Sequence, residues 1–149
     1  MVKVARLQEI HPAMDGDLVR TWFAGDTEGA LHLGSYAEPD PWFKLFSHAR
    51  HGWFVVDEDL RIGFIDLEVN NQAGYFAYYI APEYRGKGYG TQTLRLLVEQ
   101  AHQLGLTVLE GGVEPDNAAS IAALKRTGFE LLALDDEGML PIRLVIKPR

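Results

Sequence analysis

The chain of 149 residues contains no cysteine. Disulfide bonds, zinc bound by thiolates and a catalytic thiol are therefore excluded. No apolar run approaches the roughly 20 residues that a membrane-spanning helix requires. Residues 1–7 alternate as a strand does, and they lack the apolar core and cleavage site of a signal peptide. We therefore expect a cytoplasmic protein with no membrane partner.

Negative charge is concentrated in the first half of the chain. The sequence has 14 basic and 21 acidic residues, a net charge of −7, and the interval from Asp15 to Glu68 holds eleven acidic residues against four basic ones. A field of this sign repels nucleic acid and attracts cations. Most of these carboxylates are expected to be ordinary surface groups, but their distribution favours a cationic amine as partner over nucleic acid or an anionic ligand.

Three closely spaced glycines lie between a predicted strand and a predicted helix. An apolar run over residues 75–80 indicates the strand, and a helical spacing of apolar residues ending at Leu104 indicates the helix. Glycine allows successive backbone N–H groups to point into one concavity, and the helix adds its own free N–H groups and positive dipole end. This combination predicts a phosphate or pyrophosphate site on the segment Arg85-Gly86-Lys87-Gly88-Tyr89-Gly90.

The spacing of these glycines distinguishes several kinds of phosphate loop. The sequence has neither the GxxxxGK[ST] of a nucleoside triphosphate loop nor the GxGxxG of a dinucleotide fingerprint. It reads R-x-x-G-x-G, and a second motif follows after a further predicted strand: N-x-x-S at Asn117 and Ser120, then K-x-x-G-F from Lys125 to Phe129. In this order, the two motifs resemble the acyl-CoA-binding segments of the GNAT superfamily of N-acetyltransferases. Ser120 makes the second motif most similar to the branch that includes ribosomal-protein N-terminal acetyltransferases.

The resemblance implies acetyl-CoA as the acyl donor and no metal ion. It also implies direct transfer of the acetyl group to a primary amine in a ternary complex, without an enzyme nucleophile. The backbone N–H of Ile80 is expected beside the thioester oxygen, where negative charge develops. His48 and His51 stand three residues apart, but no HExxH pattern accompanies them. The residues implied in cofactor binding are Ile80, Arg85, Gly86, Lys87, Gly88, Tyr89, Gly90, Asn117, Ser120 and Lys125.

Two groups that many relatives use for proton transfer are missing. The position of the usual proton-donating tyrosine holds Leu124, so Ser120 becomes the candidate donor to the leaving thiolate. The positions at which relatives place a base on the strand before the loop hold Gly74 and Phe76, and neither can accept a proton. Tyr78 shares their face of the strand; it could line the substrate pocket, but packing in the core is the more common role for an aromatic residue there.

The proton acceptor is left open among Asp66, Glu68, Glu110 and Glu114. We prefer Glu110, because residues 110, 112 and 114 share one face of a strand that should line the cleft beside its neighbour. The catalytic candidates are therefore Ser120, Glu110 and the backbone of Ile80.

Hydrophobic periodicity and turn signals predict one mixed α/β domain over residues 1–149. The expected element order is βααβββαβαββ, a strongly twisted mixed sheet of about seven strands flanked by helices, as in the GNAT plan. The predicted strands are residues 2–7, 53–57, 62–69, 75–80, 106–113, 129–134 and 141–147. The predicted helices are residues 15–24, 41–51, the segment from the glycines to residue 104, and 118–126, with a loop at 25–40.

The sequence therefore predicts an acetyl-CoA-dependent N-acetyltransferase, monomeric or homodimeric, that acts on a small-molecule or peptide amine. Ribosomal-protein N-termini, polyamines, aminoglycosides, amino-acid amines and lysine side chains are all open as acceptors. Two alternatives stand beside this interpretation. One is transfer of a different acyl group, and the other is a catalytically silent acyl-CoA-binding or regulatory domain, which the missing tyrosine and base would fit.

Overall fold

The computed structural model describes residues 5–148. Twelve helices and strands follow one another, with single 3₁₀ turns at Gly34–Tyr36 and Pro82–Tyr84. None of the helices in this part of the chain has the length and apolar character needed to cross a membrane. The elements are β1 (Arg6–Glu9), α1 (Pro12–Phe23), α2 (Thr27–Leu33), α3 (Asp40–Phe43), β2 (Arg50–Asp57), β3 (Leu60–Asn70), β4 (Ala73–Ile80), α4 (Tyr89–Gln103), β5 (Val108–Val113), α5 (Ala118–Arg126), β6 (Glu130–Leu131) and β7 (Leu140–Val145).

The seven strands form one mixed sheet in the order β1-β2-β3-β4-β5-β7-β6. All neighbours in it are antiparallel except β4 and β5, which are parallel. The parallel pair is short: Ala73, Gly74 and Tyr75 pair with Val108, Leu109 and Glu110, and no further pairs follow. The predicted mixed α/β fold is confirmed, and its central feature is a gap where β4 and β5 separate.

The sheet separates two apolar cores. On one face α4 and α5 cover aliphatic side chains, among them Ile65, Leu67, Leu94, Leu97, Leu109 and Leu124. On the other face α1, α2 and α3 cover an aromatic cluster that includes Trp22, Phe23, Trp42, Phe54, Phe64 and Tyr79. Successive side chains of a strand point to opposite faces, so β4 presents Tyr78 to the first core and Tyr79 to the second. The strand beside the gap is therefore anchored on both sides.

The sequence-based prediction was wrong about the segment between the first two strands. Residues 25–40, predicted as a loop, contain α2, so three helices rather than two separate β1 from β2. The predicted helix at 41–51 ends at Phe43 as α3. It stops early because Ser47 organises a turn instead: its hydroxyl accepts from the N–H of Ala49, and its backbone pairs with Arg50.

Several strand bounds also differ from the prediction. The first strand begins at Arg6 and extends to Glu9; residues 2–4 of the predicted strand lie outside the described residues. The strand predicted at 129–134 is reduced to β6, and the last strand, predicted at 141–147, is β7.

Asp26 joins α2 to the loop that follows β4. Its buried carboxylate caps α2 by accepting from the N–H of Gly29 at 3.0 Å, and it accepts from the hydroxyl of Tyr79 at 2.6 Å. Arg85 donates to both of its oxygens, at 3.0 and 2.8 Å. Burial alone would raise the pKa of Asp26, but the hydrogen bonds from Arg85, Tyr79 and Gly29 outweigh it, and the pKa is lowered. The ionised carboxylate is thus the favoured form in the folded protein.

We expect Asp26→Asn to destabilise the protein at pH 7 by about 2 kcal/mol, because it removes the buried anionic partner of Arg85 and leaves only the exposed Glu28, 3.8 Å away. A lowered folded-state pKa means that the stabilisation is fully present above the unfolded pKa of about 4 and is lost as the pH falls through the folded-state value. Urea unfolding should therefore separate wild type and variant at pH 7 and bring them together in acid. Asp17→Asn is the control: the Asp17 side chain is 98% exposed, and its loss should change little. Equal destabilisation by Asp26→Asn at both pH values would contradict this account.

Candidate active site

A cavity of about 410 Å³, which we call the cleft, lies along the part of β4 that follows its last pair with β5. Its walls are β4, the loop of residues 85–90 (the glycine loop), the first turn of α4, the helix α2 and the helix α5. A volume of this order is typical of small-molecule and cofactor sites. The cleft brings together both sequence motifs and one helix that the sequence did not predict.

One edge of β4 faces the cleft with free backbone groups. The N–H of Ala81 donates to the carbonyl of Ile62 on β3 at 2.8 Å. In an antiparallel ladder alternate residues bond to the same neighbour, so the N–H groups of Phe76, Tyr78 and Ile80 point away from β3. The pair between Tyr75 and Glu110 is the last with β5 and engages the N–H of Phe76, so only the N–H groups of Tyr78 and Ile80, two residues that line the cleft, are left without a strand partner. The N–H of Ile80 thus points away from β3 at the cleft, and its contact with a thioester oxygen stays a prediction.

The glycine loop is shaped for an anion. Gly86 and Gly88 have φ values of 75° and 86°, in the left-handed region that favours glycine. A Cβ atom at either position would meet nothing within 4 Å, so the space beside them is open. Gly88 is also the N-cap of α4, and no side chain caps this helix end. The N–H groups of the first turn are consequently available to a ligand.

Arg85 supports the glycine loop rather than offering it a free charge. In addition to its bonds with Asp26, its Nε donates to the carbonyl of Ile80 at 2.9 Å, and its guanidinium lies 5.4 Å from the ring centre of Tyr79. All three nitrogens of its guanidinium therefore donate to protein oxygens. Lys87 lies with its Nζ 6.0 Å from the ring centre of Tyr84.

At the start of α5, the second motif is built around its own helix cap. The Asn117 side chain accepts from the N–H of Ser120 at 3.3 Å and caps α5. The Ser120 hydroxyl lies 2.8 Å from the hydroxyl of Tyr78, and both residues line the cleft. Burial raises the pKa of Tyr78, and the hydrogen bond to Ser120 offsets only part of this effect. Tyr78 therefore stays protonated near neutral pH.

Two expectations about these residues need correction. Tyr78, expected in the core, packs against it but also borders the cleft. Lys125, expected near the cofactor, is exposed and does not line the cleft, whereas the adjacent Arg126 does. The helix turns each residue by about 100°, so neighbours in the motif face different directions. Leu124 is buried in the core, at the position where relatives carry a tyrosine.

The carboxylates considered as base occupy different surroundings. Glu110 faces Arg143, with Oε1 3.7 Å from its Nε, and it does not line the cleft. Asp66 is buried between Arg50 and Tyr36, and Glu68 pairs with the same Arg50. The role proposed for Glu110 stays a prediction without support from its position.

Glu114, the fourth of these carboxylates, lies beside a histidine of the cleft. Its Oε2 lies 2.7 Å from Nδ1 of His32, a residue of α2 that lines the cleft. Sequence reasoning missed His32 because it placed residues 25–40 in a loop. The signal was the Asp26 cap: a helix starting there sets Glu28 and His32 four residues apart, on one face.

The acidic first half is less open to solvent than its composition indicated. Asp15, Asp26 and Asp66 are buried, and each has an arginine partner: Arg61, Arg85 and Arg50 respectively. These charges stabilise the fold and contribute little to a field at the surface. Glu28 is the acidic residue of this half that lines the cleft.

Comparisons with known proteins agree with this geometry. Residues 16–129 match the model of the acetyltransferase (GNAT) family. The chain is similar to an L-methionine sulfoximine/L-methionine sulfone acetyltransferase of Pseudomonas paraeruginosa, with 45% identity over 53 residues, 36% of this chain and 31% of that protein. It is also similar to YfmK, an uncharacterized N-acetyltransferase of Bacillus subtilis, with 28% identity over 109 residues, 70% of this chain and 74% of that protein. The match to the Pseudomonas protein thus spans less than a third of that relative.

A likeness of fold extends over nearly the whole chain. The crystal structure of the aminoglycoside acetyltransferase AAC(6')-Ib with coenzyme A and kanamycin superposes with a TM-score of 0.80. The match covers 95% of this chain and 94% of that one at 16% identity. At this identity the likeness concerns the fold alone.

We expect Gly88→Ala to weaken acetyl-CoA binding by at least about tenfold, because a side chain at positive φ costs about 1–2 kcal/mol and its Cβ enters the concavity. Isothermal titration calorimetry measures the effect. Gly138→Ala is a matched control: Gly138 has a φ of 81°, also meets nothing within 4 Å, and does not line the cleft. Both variants should lose similar stability, but only the first should lose affinity. Equal affinities would show that the glycine loop is not the binding site.

Proposed function

This chain belongs to the acetyltransferase (GNAT) family, and we propose that it transfers the acetyl group of acetyl-CoA to a small primary amine. The observation that carries the proposal is the cleft itself. A strand edge with free backbone groups, an anion-binding helix end and a hydrogen-bonded Ser120–Tyr78 pair border one cavity. Each feature suits a different part of a thioester of coenzyme A.

The donor would lie along β4. Its pyrophosphate would accept from the N–H groups of the glycine loop and the first turn of α4. Its amide-containing arm would pair with the free edge of β4, as an added strand pairs with a sheet edge. The thioester carbonyl would then accept from the N–H of Ile80, which would stabilise the negative oxygen of the tetrahedral intermediate.

In the reaction the amine nitrogen loses two protons and the leaving thiolate gains one. An amine of pKa near 10 is only about 0.1% neutral at pH 7, which corresponds to about 4 kcal/mol of lost reactivity. A base must therefore take one proton before or during attack. The nitrogen then forms a bond to the carbonyl carbon, the carbon–sulfur bond breaks, and the thiolate takes a proton from Ser120. Tyr78 can return a proton to the serine through their 2.8 Å contact, and solvent restores the tyrosine.

The acceptor that we favour is an amine attached to a small molecule and positively charged in solution. Glu28 borders the cleft, and Glu114 stands beside it through His32, so negative charge is available at the entrance. The name of the Pseudomonas relative, an acetyltransferase of methionine derivatives, supports an amino-acid amine among the options. Peptide N-termini remain a competing acceptor class.

The proposal is tested by measuring free CoA thiol with a panel of amines. The panel contains amino acids, diamines, aminoglycosides and a peptide with a free N-terminus, each with acetyl-CoA and with a longer acyl-CoA. We expect release with acetyl-CoA and at least one small amine. Binding of acetyl-CoA without thiol release from any amine would instead indicate a catalytically silent acyl-CoA-binding domain. Preference for the longer donor would indicate transfer of another acyl group.

We expect Ser120→Ala to lower kcat by about 10²-fold or more, with a much smaller change in KM for acetyl-CoA, because a leaving-group donor acts mainly in the transition state. Tyr78→Phe should lower kcat less, by about tenfold, since the serine can still donate and then regain its proton from solvent. Tyr75→Phe, on the opposite face of β4, is the matched control and should leave kcat unchanged. Steady-state kinetics of thiol release give both constants. Wild-type turnover in Ser120→Ala would mean that the thiolate leaves without this donor.

A further inference from the structure

His32 is the one imidazole among the residues that line the cleft. It lies in the last turn of α2, and its side chain is 15% exposed. It lines the same cavity as Ser120 and Tyr78, the pair assigned to the leaving group. A second proton-transfer group is therefore present in the cleft, separate from the first.

We propose that His32 accepts the proton of the attacking amine and that Glu114 is its positioning residue. The inference rests on the proposed function and supplies the base that the reaction lacks. It replaces Glu110, which faces Arg143 outside the cleft.

Contact with Glu114 determines which ring nitrogen of His32 carries the proton. Nδ1 of His32 lies 2.7 Å from Oε2 of Glu114, although its alignment is not that of an ideal hydrogen bond. Two lone pairs at this distance would repel, so Nδ1 carries the proton and Nε2 is left as the acceptor. This is the arrangement that a general base requires.

Charged groups around His32 have both signs. From the segment after β5, Glu114 and Asp116 place carboxylate oxygens within 4.8 Å of it and of each other. Glu28 precedes it by one turn of α2, while Arg85, Arg126 and the neutral Tyr78 border the same cleft. Arg85 is already paired with Asp26. The nearest charges are thus negative, and they attract an ammonium group to the imidazole before its proton is removed.

The proton balance is complete without a further reactant. One proton of the ammonium passes to Nε2 of His32, and the neutral amine attacks the thioester carbon. The nitrogen–carbon bond forms, the carbon–sulfur bond breaks, and Ser120 gives its proton to the thiolate. After attack the nitrogen still carries one proton too many, and it releases that proton to solvent. His32 also releases its proton to solvent before the next turnover. Acetyl-CoA and the amine are the only reactants.

The test measures kcat of the full chain between pH 5 and 9, with the best amine found in the panel. We expect His32→Gln to lower kcat by about 10²-fold or more and to remove the rising limb of kcat with pH that a general base in the cleft produces. Affinity for acetyl-CoA, measured by calorimetry, should stay within about twofold, because His32 is not among the donor-binding groups. His48→Gln is the matched control: His48 is exposed and does not line the cleft, so its variant should behave as wild type.

Two further variants distinguish the loss of a base from a loss of packing around residue 32. In His32→Ala, added imidazole should restore part of kcat in proportion to its concentration, which a loss of packing would not permit. Glu114→Gln should lower kcat by about tenfold and retain the limb.

Opposite results would overturn the proposal. If the His32–Glu114 pair is only a latch over the cleft, kcat lacks a rising limb, His32→Gln weakens acetyl-CoA binding, and imidazole does not rescue. If the wild type acetylates an amine and His32→Gln is unchanged, His32 is not the base, but the proposed function stands. If the wild type acetylates no amine, both are wrong.

Discussion

Separation of β4 from β5 after three residue pairs is the constraint on which the rest of the structure depends. A fully paired parallel ladder would satisfy every backbone group and leave no entrance to the sheet. The separation frees one edge of β4 while its other edge stays bonded to β3 as far as Ile80. Free N–H and C=O groups are thus presented by a strand that cannot shift, which is the condition for a precise binding edge.

Packing on both sides of the sheet keeps the gap open. Phe76 lies where the strands part, and its ring contacts Phe129 at 5.5 Å between ring centres. A Cβ on Gly111 would lie 3.0 Å from the carbonyl oxygen of Phe76, so glycine permits the approach of the two strands just before they separate. On the opposite face, α2 is held by Asp26 and reaches Glu114 through His32. Helix α2 therefore lies across the gap on one face of the sheet, and α4 and α5 pack against the other face.

The same geometry divides the chemistry between two sources. Ser120 and Tyr78 come from α5 and β4, which belong to the part of the chain with specific motifs. His32 and Glu28 come from α2, in the part with none. In the mechanism that we propose, donor binding and thiolate protonation use the motif-bearing half, and amine recognition uses the other. This division agrees with the sequence analysis, in which the two motifs indicated the donor and no motif indicated the acceptor.

Local patterns were sufficient for the glycine loop, for α4 and for α5. Apolar residues at helical spacing, the cap at Asn117 and the glycines at positive φ are properties of adjacent residues, so they can be predicted from the sequence. The Ser120–Tyr78 bond joins residues 42 positions apart, and the Asp26–Arg85 pair joins residues 59 apart. Helix α2 was missed because Gly25, Gly29 and Gly34 are ordinary turn signals. The Asp26 cap is a local signal that these glycines outweighed, and the contacts of Tyr79 and Arg85 that hold the cap join residues too distant for any local pattern to contain.

A crystal structure of the protein with acetyl-CoA is the most direct test of the account. It predicts that the pyrophosphate oxygens lie within about 2.7–3.2 Å of backbone nitrogens in the glycine loop and the first turn of α4. The thioester should lie between β4 and β5, with its carbonyl oxygen accepting from the N–H of Ile80 and its sulfur beside Ser120. Acetyl-CoA bound outside the gap, or with its pyrophosphate away from the glycine loop, would contradict the account.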